Sequence, residues 1–153
     1  MLRICGIATL FGLGCGDPEV DTGHTVYYLT LNQADQVPPC ATPGPAATAT
    51  ASVSVDEGNT IIPLDLTYSG LSGPVTNVHF HMGTAGQTGV EVMGTSGQSP
   101  IKQNFTTASY LASAPLGAPL TFKDFITELR AGKVYVDLHT AACTGGELRA
   151  QVR

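Results

Sequence analysis

His79 and His81 flank Phe80, and two histidines at positions i and i+2 of an extended chain project to the same side. A third, His139, closes the run Val134-Tyr135-Val136-Asp137-Leu138-His139-Thr140 on its polar side. Neutral imidazole is a good ligand for copper or zinc, and three suffice when the fourth position is open or taken by oxygen. If the two runs are neighbours in one sheet, His79 and His81 share an exterior patch with Asn77, and His139 joins them with Asp137 and Tyr135. Glu147 and Arg149 occupy the same side of the last run. Carboxylates such as Asp137 or Glu147 then suit the second nitrogen of a ligating histidine, and Tyr135 belongs to the same supporting ring. If a metal binds here, copper leads and zinc is next. The competing reading is structural: each histidine hydrogen-bonds a loop carbonyl, fixing residues 83–89 or 140–146 in place. His24 lies outside this set.

The elements that must position these side chains are strands. With 153 residues the chain suits one domain with a real core. Few charges, abundant glycine and proline and no tryptophan favour a loop-rich all-β protein. Residues Val26–Leu31 are β-branched and aromatic. Alternation of period two runs through Ala47–Val55, Ile61–Tyr68, Val75–Met82, Val134–His139 and Glu147–Arg153. Shorter strands are expected at Val90–Met93 and Ile101–Tyr110. Pro63 points to an edge or a bulge at its position. One short helix is expected over residues 121–130, where Phe122, Phe125, Ile126 and Leu129 form an apolar stripe that Thr121 or Leu120 starts and Gly132 ends. Seven to eight strands with intervening turns predict a Greek-key β-sandwich.

The compartment reads from the other end of the chain. Arg3 precedes the apolar stretch Ile4–Leu13, which has the length of a signal-peptide core and is too short to span a bilayer. Residues 1–14 are therefore expected to be a signal peptide of the lipoprotein type, although Gly12 stands where that pattern usually has Leu, Val or Ile. Cys15 is the expected lipidation site, residues 15–25 a lipidated tether and residues 26–153 the mature domain. Cys5 leaves with the signal. Cys40 and Cys143 remain, and an oxidising compartment favours a disulfide between them; a thiolate metal ligand at Cys143 is the alternative. The net charge of −5 and scattered cations disfavour a nucleic-acid surface. No nucleophile elbow and no phosphate loop with lysine is present.

Four segments in order resemble the CHRD domain, first described in chordin and widespread in exported bacterial proteins. Leu31-Asn32-Gln33-Ala34-Asp35-Gln36-Val37-Pro38-Pro39 is similar to its opening block. Tyr68–Val75 followed by His79-Phe80-His81 resembles its central block, and Ala131–Thr140 its penultimate one. Gly146–Val152 resembles the terminal block, with Ala150 in place of a usual glycine. The resemblance implies an all-β, immunoglobulin-like sandwich in an extracytoplasmic protein and brings no settled enzymatic activity; with the lipid anchor expected at Cys15, the leading expectation is an envelope-anchored binding or interaction module. Its partners would be the membrane, through the lipid anchor, and either a metal ion or another envelope protein. A weaker likeness to copper–zinc superoxide dismutase stops at the His-x-His pair. No histidine lies between His81 and His139, so a dinuclear centre is not expected and a mononuclear copper or zinc site stays open.

Overall fold

The computed structural model describes residues 19–21, 23–110, 118–119 and 121–153. The expected signal peptide and Cys15 lie outside the described residues. Among the described residues, nine strands and one helix follow in the order β1 (Glu19–Asp21), β2 (His24–Leu31), β3 (Thr48–Asp56), β4 (Ile61–Ser69), β5 (Val75–Met82), β6 (Val90–Thr95), β7 (Ile101–Thr106), α1 (Phe122–Arg130), β8 (Val134–Thr140) and β9 (Leu148–Gln151). They form two antiparallel sheets, ordered β1-β2-β3-β4-β7 and β6-β5-β8-β9. The strands β5 and β6 leave the first sheet after β4, and β7 returns to pair with β4, which makes the connections cross between layers.

The inner faces follow the period-two pattern. Leu29, Leu31, Ala49, Ala51, Val53, Val55, Ile62, Leu64 and Leu66 face Val78, Phe80, Val136, Leu138, Leu148 and Ala150 across the core, all of them buried. Helix α1 closes the sandwich with its apolar stripe. Phe80 packs edge-on against Phe105 and Phe125 at ring-centre distances of 5.3 and 6.2 Å. Thr121 is the N-cap, its Oγ1 accepting from the Asp124 amide at 3.1 Å. At the other end Gly132 has φ +70°, and Gly132 N–H and Lys133 N–H donate to the Leu129 and Glu128 carbonyls. That pair of bonds is a Schellman cap, which needs a residue tolerant of the left-handed region.

Three sequence expectations are revised. Residues 19–21 and 24–25, placed in the tether, belong to strands: β1 pairs with β2, with Val20 opposite Thr25. Its three residues are too few to show a period. Strand β4, where Pro63 pointed to an edge or a bulge, is interior. Proline is accommodated because the β3–β4 ladder stops at Val53 opposite Leu64, the residue that follows Pro63, so Pro63 has no partner in β3. The polar side of β8, expected on the exterior, is covered, and every residue of Val134–Thr140 is buried. The loops after β5 and β8 fold over that face.

Candidate metal centre

Register builds the site. Strand β5 pairs with β8 so that His79 lies opposite Asp137, His81 opposite Tyr135 and Asn77 opposite His139. On the far side of β8, Asp137 faces Arg149 and Tyr135 faces Gln151. On the near side of β5, His79 faces Gly94, and a bulge between Phe80 and His81 brings Glu91 opposite His81. All three imidazoles are therefore on one face, with Asp137 among them.

One ligand atom from each of His79, His81, Asp137 and His139 can be chosen so that all four lie within 4.8 Å of one another. His139 Nε2 is 2.8 Å from Asp137 Oδ1 and 3.1 Å from His79 Nδ1. His81 Nε2 is 3.2 Å from the same Asp137 oxygen, yet it is buried and its geometry makes no hydrogen bond. Donors at bond lengths of ~2.0–2.1 Å around a tetrahedral ion stand about 3.3 Å apart, so these three edges are already near the required span.

The opposite nitrogens decide what the converging ones carry. His81 Nδ1 lies 3.0 Å from the Gly89 carbonyl and His139 Nδ1 lies 3.0 Å from the Thr144 carbonyl. A carbonyl only accepts, so both rings carry their proton on Nδ1 and, when neutral, turn a bare Nε2 lone pair towards Asp137. His79 Nε2 faces the half-buried Glu91 carboxylate at 3.5 Å, which favours a proton there and leaves Nδ1 free on the inner side. With all three rings neutral, three lone pairs and a carboxylate would meet in one place. Only a proton or a cation relieves that arrangement. Burial raises the Asp137 pKa, but the hydrogen bond from His139 and the neighbouring His81 outweigh it and hold the carboxyl below its ordinary value. Burial pushes His139 down, and the Asp137 bond and charge together bring it above its usual value. For His79 burial wins: its pKa is lowered, Glu91 opposing and His139 adding to the fall.

The surrounding residues hold the loops that hold the rings. Tyr135 stacks on His81 at 4.8 Å with an interplanar angle of 3°, and its hydroxyl accepts the Gly89 N–H at 3.1 Å. The Arg149 guanidinium lies 3.4 Å above the other face of Tyr135. It donates to the Gln87 and Thr84 carbonyls at 2.8 and 3.1 Å. Arg149 is 1% exposed and pairs with neither Glu147 nor any other carboxylate among the described residues.

Glu147 differs from its expected place beside a histidine. Its carboxylate accepts from Gly44 N–H and Ser72 N–H, both at 2.8 Å, from Thr140 Oγ1 at 2.7 Å and from Ser72 Oγ. Four donors occupy it, so it fastens loops rather than a ring. Cys40 and Cys143 are joined in a disulfide, which removes Cys143 as a thiolate ligand. Met93 is fully buried in the core and Met82 packs at its margin. Asp137, expected to support a histidine from behind, stands instead among the converging donors. Glu91 and Gly94 were not anticipated: the bulge after Phe80 brings Glu91 to this face, and the regular β5–β6 register before it sets Gly94 opposite His79.

Comparison with known proteins gives one match. The family model described as CHRD domain fits residues 27–152. No curated protein and no solved structure matches the chain.

Proposed function

The chain belongs to the CHRD-domain family, and from that premise we propose that it is an exported binding module whose ligand is a single transition-metal ion held by His79, His81, His139 and Asp137. The observation that carries the reading is the pair of Nε2 atoms of His81 and His139. Each, when its ring is neutral, offers a lone pair there because a backbone carbonyl holds the proton on the far nitrogen, and both point at one carboxylate oxygen. A purely structural role accounts for the carbonyl bonds. A protonated His139 donating Nε2–H to Asp137 also fits a structural ion pair, but that leaves the buried Nε2 of His81, 3.2 Å from the same oxygen, without a hydrogen bond. Histidine ligands that donate their other N–H to a carbonyl or carboxylate are the usual form of a metal centre.

Three nitrogens and one oxygen suit zinc(II) or copper(II); a hard carboxylate weighs against copper(I), which favours soft donors. With four donors from the chain a tetrahedral ion keeps no open position, so the centre suits storage, delivery or structural use of the metal rather than hydrolysis. Export rests on the apolar leader and on the disulfide, and anchoring rests on Cys15. Among the described residues no helix is long and apolar enough to cross a membrane. Fatty-acid labelling of the parent and of Cys15→Ser tests the anchor.

The deciding experiment is metal analysis of the domain after loading with zinc or copper and dialysis. One ion per chain is expected, with loss of binding in His81→Ala and His139→Ala. Sub-stoichiometric metal, or a stoichiometry that these substitutions leave unchanged, rejects the centre.

A further inference from the structure

His139 ends β8, and the chain then turns through residues 140–146 before β9. Thr140 and Cys143 exchange backbone hydrogen bonds, and Gly146 N–H donates to the Cys143 carbonyl at 3.0 Å. Within that turn sits the Thr144 carbonyl that fixes the proton of His139 on Nδ1. The turn is fastened to the segment after β2 at two points. One is the covalent bond between Cys40 and Cys143. The other is the Gln36 side-chain amide, which donates to the Gly145 carbonyl at 2.6 Å. Cys143 is 3% exposed, whereas Cys40 is only half-buried. His81 is held differently, through the Gly89 carbonyl of the other loop, which Arg149 and Tyr135 secure.

We infer that the Cys40–Cys143 bridge positions His139 through the Thr144 carbonyl and so makes metal affinity depend on the thiol–disulfide state of the protein; the inference rests on the metal reading above. A dithiol reductant supplies the electrons. Its thiolate attacks the sulfur of Cys40, the more accessible of the two, and the Cys40–Cys143 bond breaks with Cys143 leaving as a thiolate that takes up a proton. The second thiol of the reductant then displaces Cys40, which is protonated in turn, and the reductant ends as its own disulfide. With the bridge open, the turn keeps Gln36 as its remaining fastening to that segment. The Thr144 carbonyl no longer holds one position, His139 exchanges between its two tautomers, and the Nε2 lone pair is no longer committed to the centre. Reoxidation restores the lock. One of two supporting loops is thus redox-sensitive and the other is not, which gives the inference an internal control.

Cys40→Ser/Cys143→Ser represents the open state without adding thiol ligands. Imidazole 15N–1H spectra of the metal-free protein report the tautomer of each ring, and competition against a chelating dye reports zinc affinity. In the double variant the His139 Nδ1–H signal is expected to broaden or vanish while that of His81 stays. Zinc affinity is expected to fall by about tenfold or more, the usual effect of losing an outer partner of a ligating histidine. An intact His139 signal with unchanged affinity overturns the inference and leaves the metal centre standing. Failure of the disulfide-bonded parent to bind zinc overturns both. Should the double variant not fold, Cys40→Ala/Cys143→Val, which opens the bridge but fills its volume with apolar atoms, carries the same test. Selective loss at His139 is expected there, and no change in signal or affinity overturns the inference.

Discussion

A missing methyl group makes room for the first histidine. Gly94 lies directly across from His79, and a Cβ built on it would stand 2.6 Å from His79 Cδ2 and 3.3 Å from Nε2. The backbone of Gly94 is not in the left-handed region, so alanine suits its conformation and the whole cost falls on the imidazole. Gly94→Ala is therefore expected to displace the His79 ring and lower zinc affinity by about tenfold. The fold should hold, because a residue with less freedom in the unfolded chain offsets part of the crowding, by about 0.4–1 kcal/mol. Isothermal titration beside thermal unfolding reads the two effects separately; undiminished affinity would mean that His79 does not ligate from this position. At this scale the sequence showed the three histidines and Asp137 and concealed Glu91 and Gly94. Alternation carries residue types and faces, but the bulge between Phe80 and His81 changes which residue of β6 meets which residue of β5. The same bulge lets Val92 and Met93, adjacent in sequence, both be buried, a pattern that period two cannot express.

Strand β9 shows how an element can look solvent-facing and be an interior fastening. Glu147 precedes it and Arg149 and Gln151 lie within it, alternating with apolar residues, and such a pattern ordinarily marks an exposed face. Each instead secures loops. Glu147 gathers residues 44, 72 and 140, Arg149 holds 84 and 87, and the Gln151 amide donates to the carbonyls of Gly83, Gly132 and Val134, each at 2.9 Å. The loops were recognisable from glycine and proline, but their path over the β8–β9 face is a tertiary fact with no local signal. The strands themselves, the helical stripe and both helix caps were legible, since they depend on spacing and on single residues such as Thr121 and Gly132. A pH dependence belongs to this element. Burial raises the Glu147 pKa, but the hydrogen bonds from Ser72, Gly44 and Thr140 outweigh it and hold the folded value below the ordinary one. A lowered folded pKa contributes stability above the unfolded value and loses it as pH falls through the folded value. Urea unfolding should thus show a Glu147→Gln deficit of about 3 kcal/mol near neutrality, where a charged acceptor and its bonds are lost. The gap should narrow at pH values below the ordinary carboxyl range, about 4.3 and under, as the parent carboxylate is protonated. A deficit that is constant with pH would show that the charge of Glu147 contributes nothing.

For the molecule as a whole, the centre exists only in the folded state. His79 and His81 come from β5, and Asp137 and His139 from β8, which follows two further strands and the helix. The unfolded chain keeps these ligands apart, so an ion that binds the native protein stabilises it by mass action. Free zinc at about a hundred times its dissociation constant contributes about 2.7 kcal/mol. For a domain of this size each kcal/mol moves the midpoint by about 3–5 °C, which makes a rise of about 8–13 °C the expected result of thermal unfolding with and without zinc. His139→Ala should abolish the rise. Protons compete with the ion for imidazole nitrogens, so the rise should shrink below about pH 6 in the parent. The chain carries a net charge of −5, and divalent ions also gather loosely at exposed carboxylates. The histidine variant separates the two cases: a rise that survives His139→Ala, with the parent's pH dependence absent, would place the zinc on the acidic surface and empty the β5–β8 face of its proposed role.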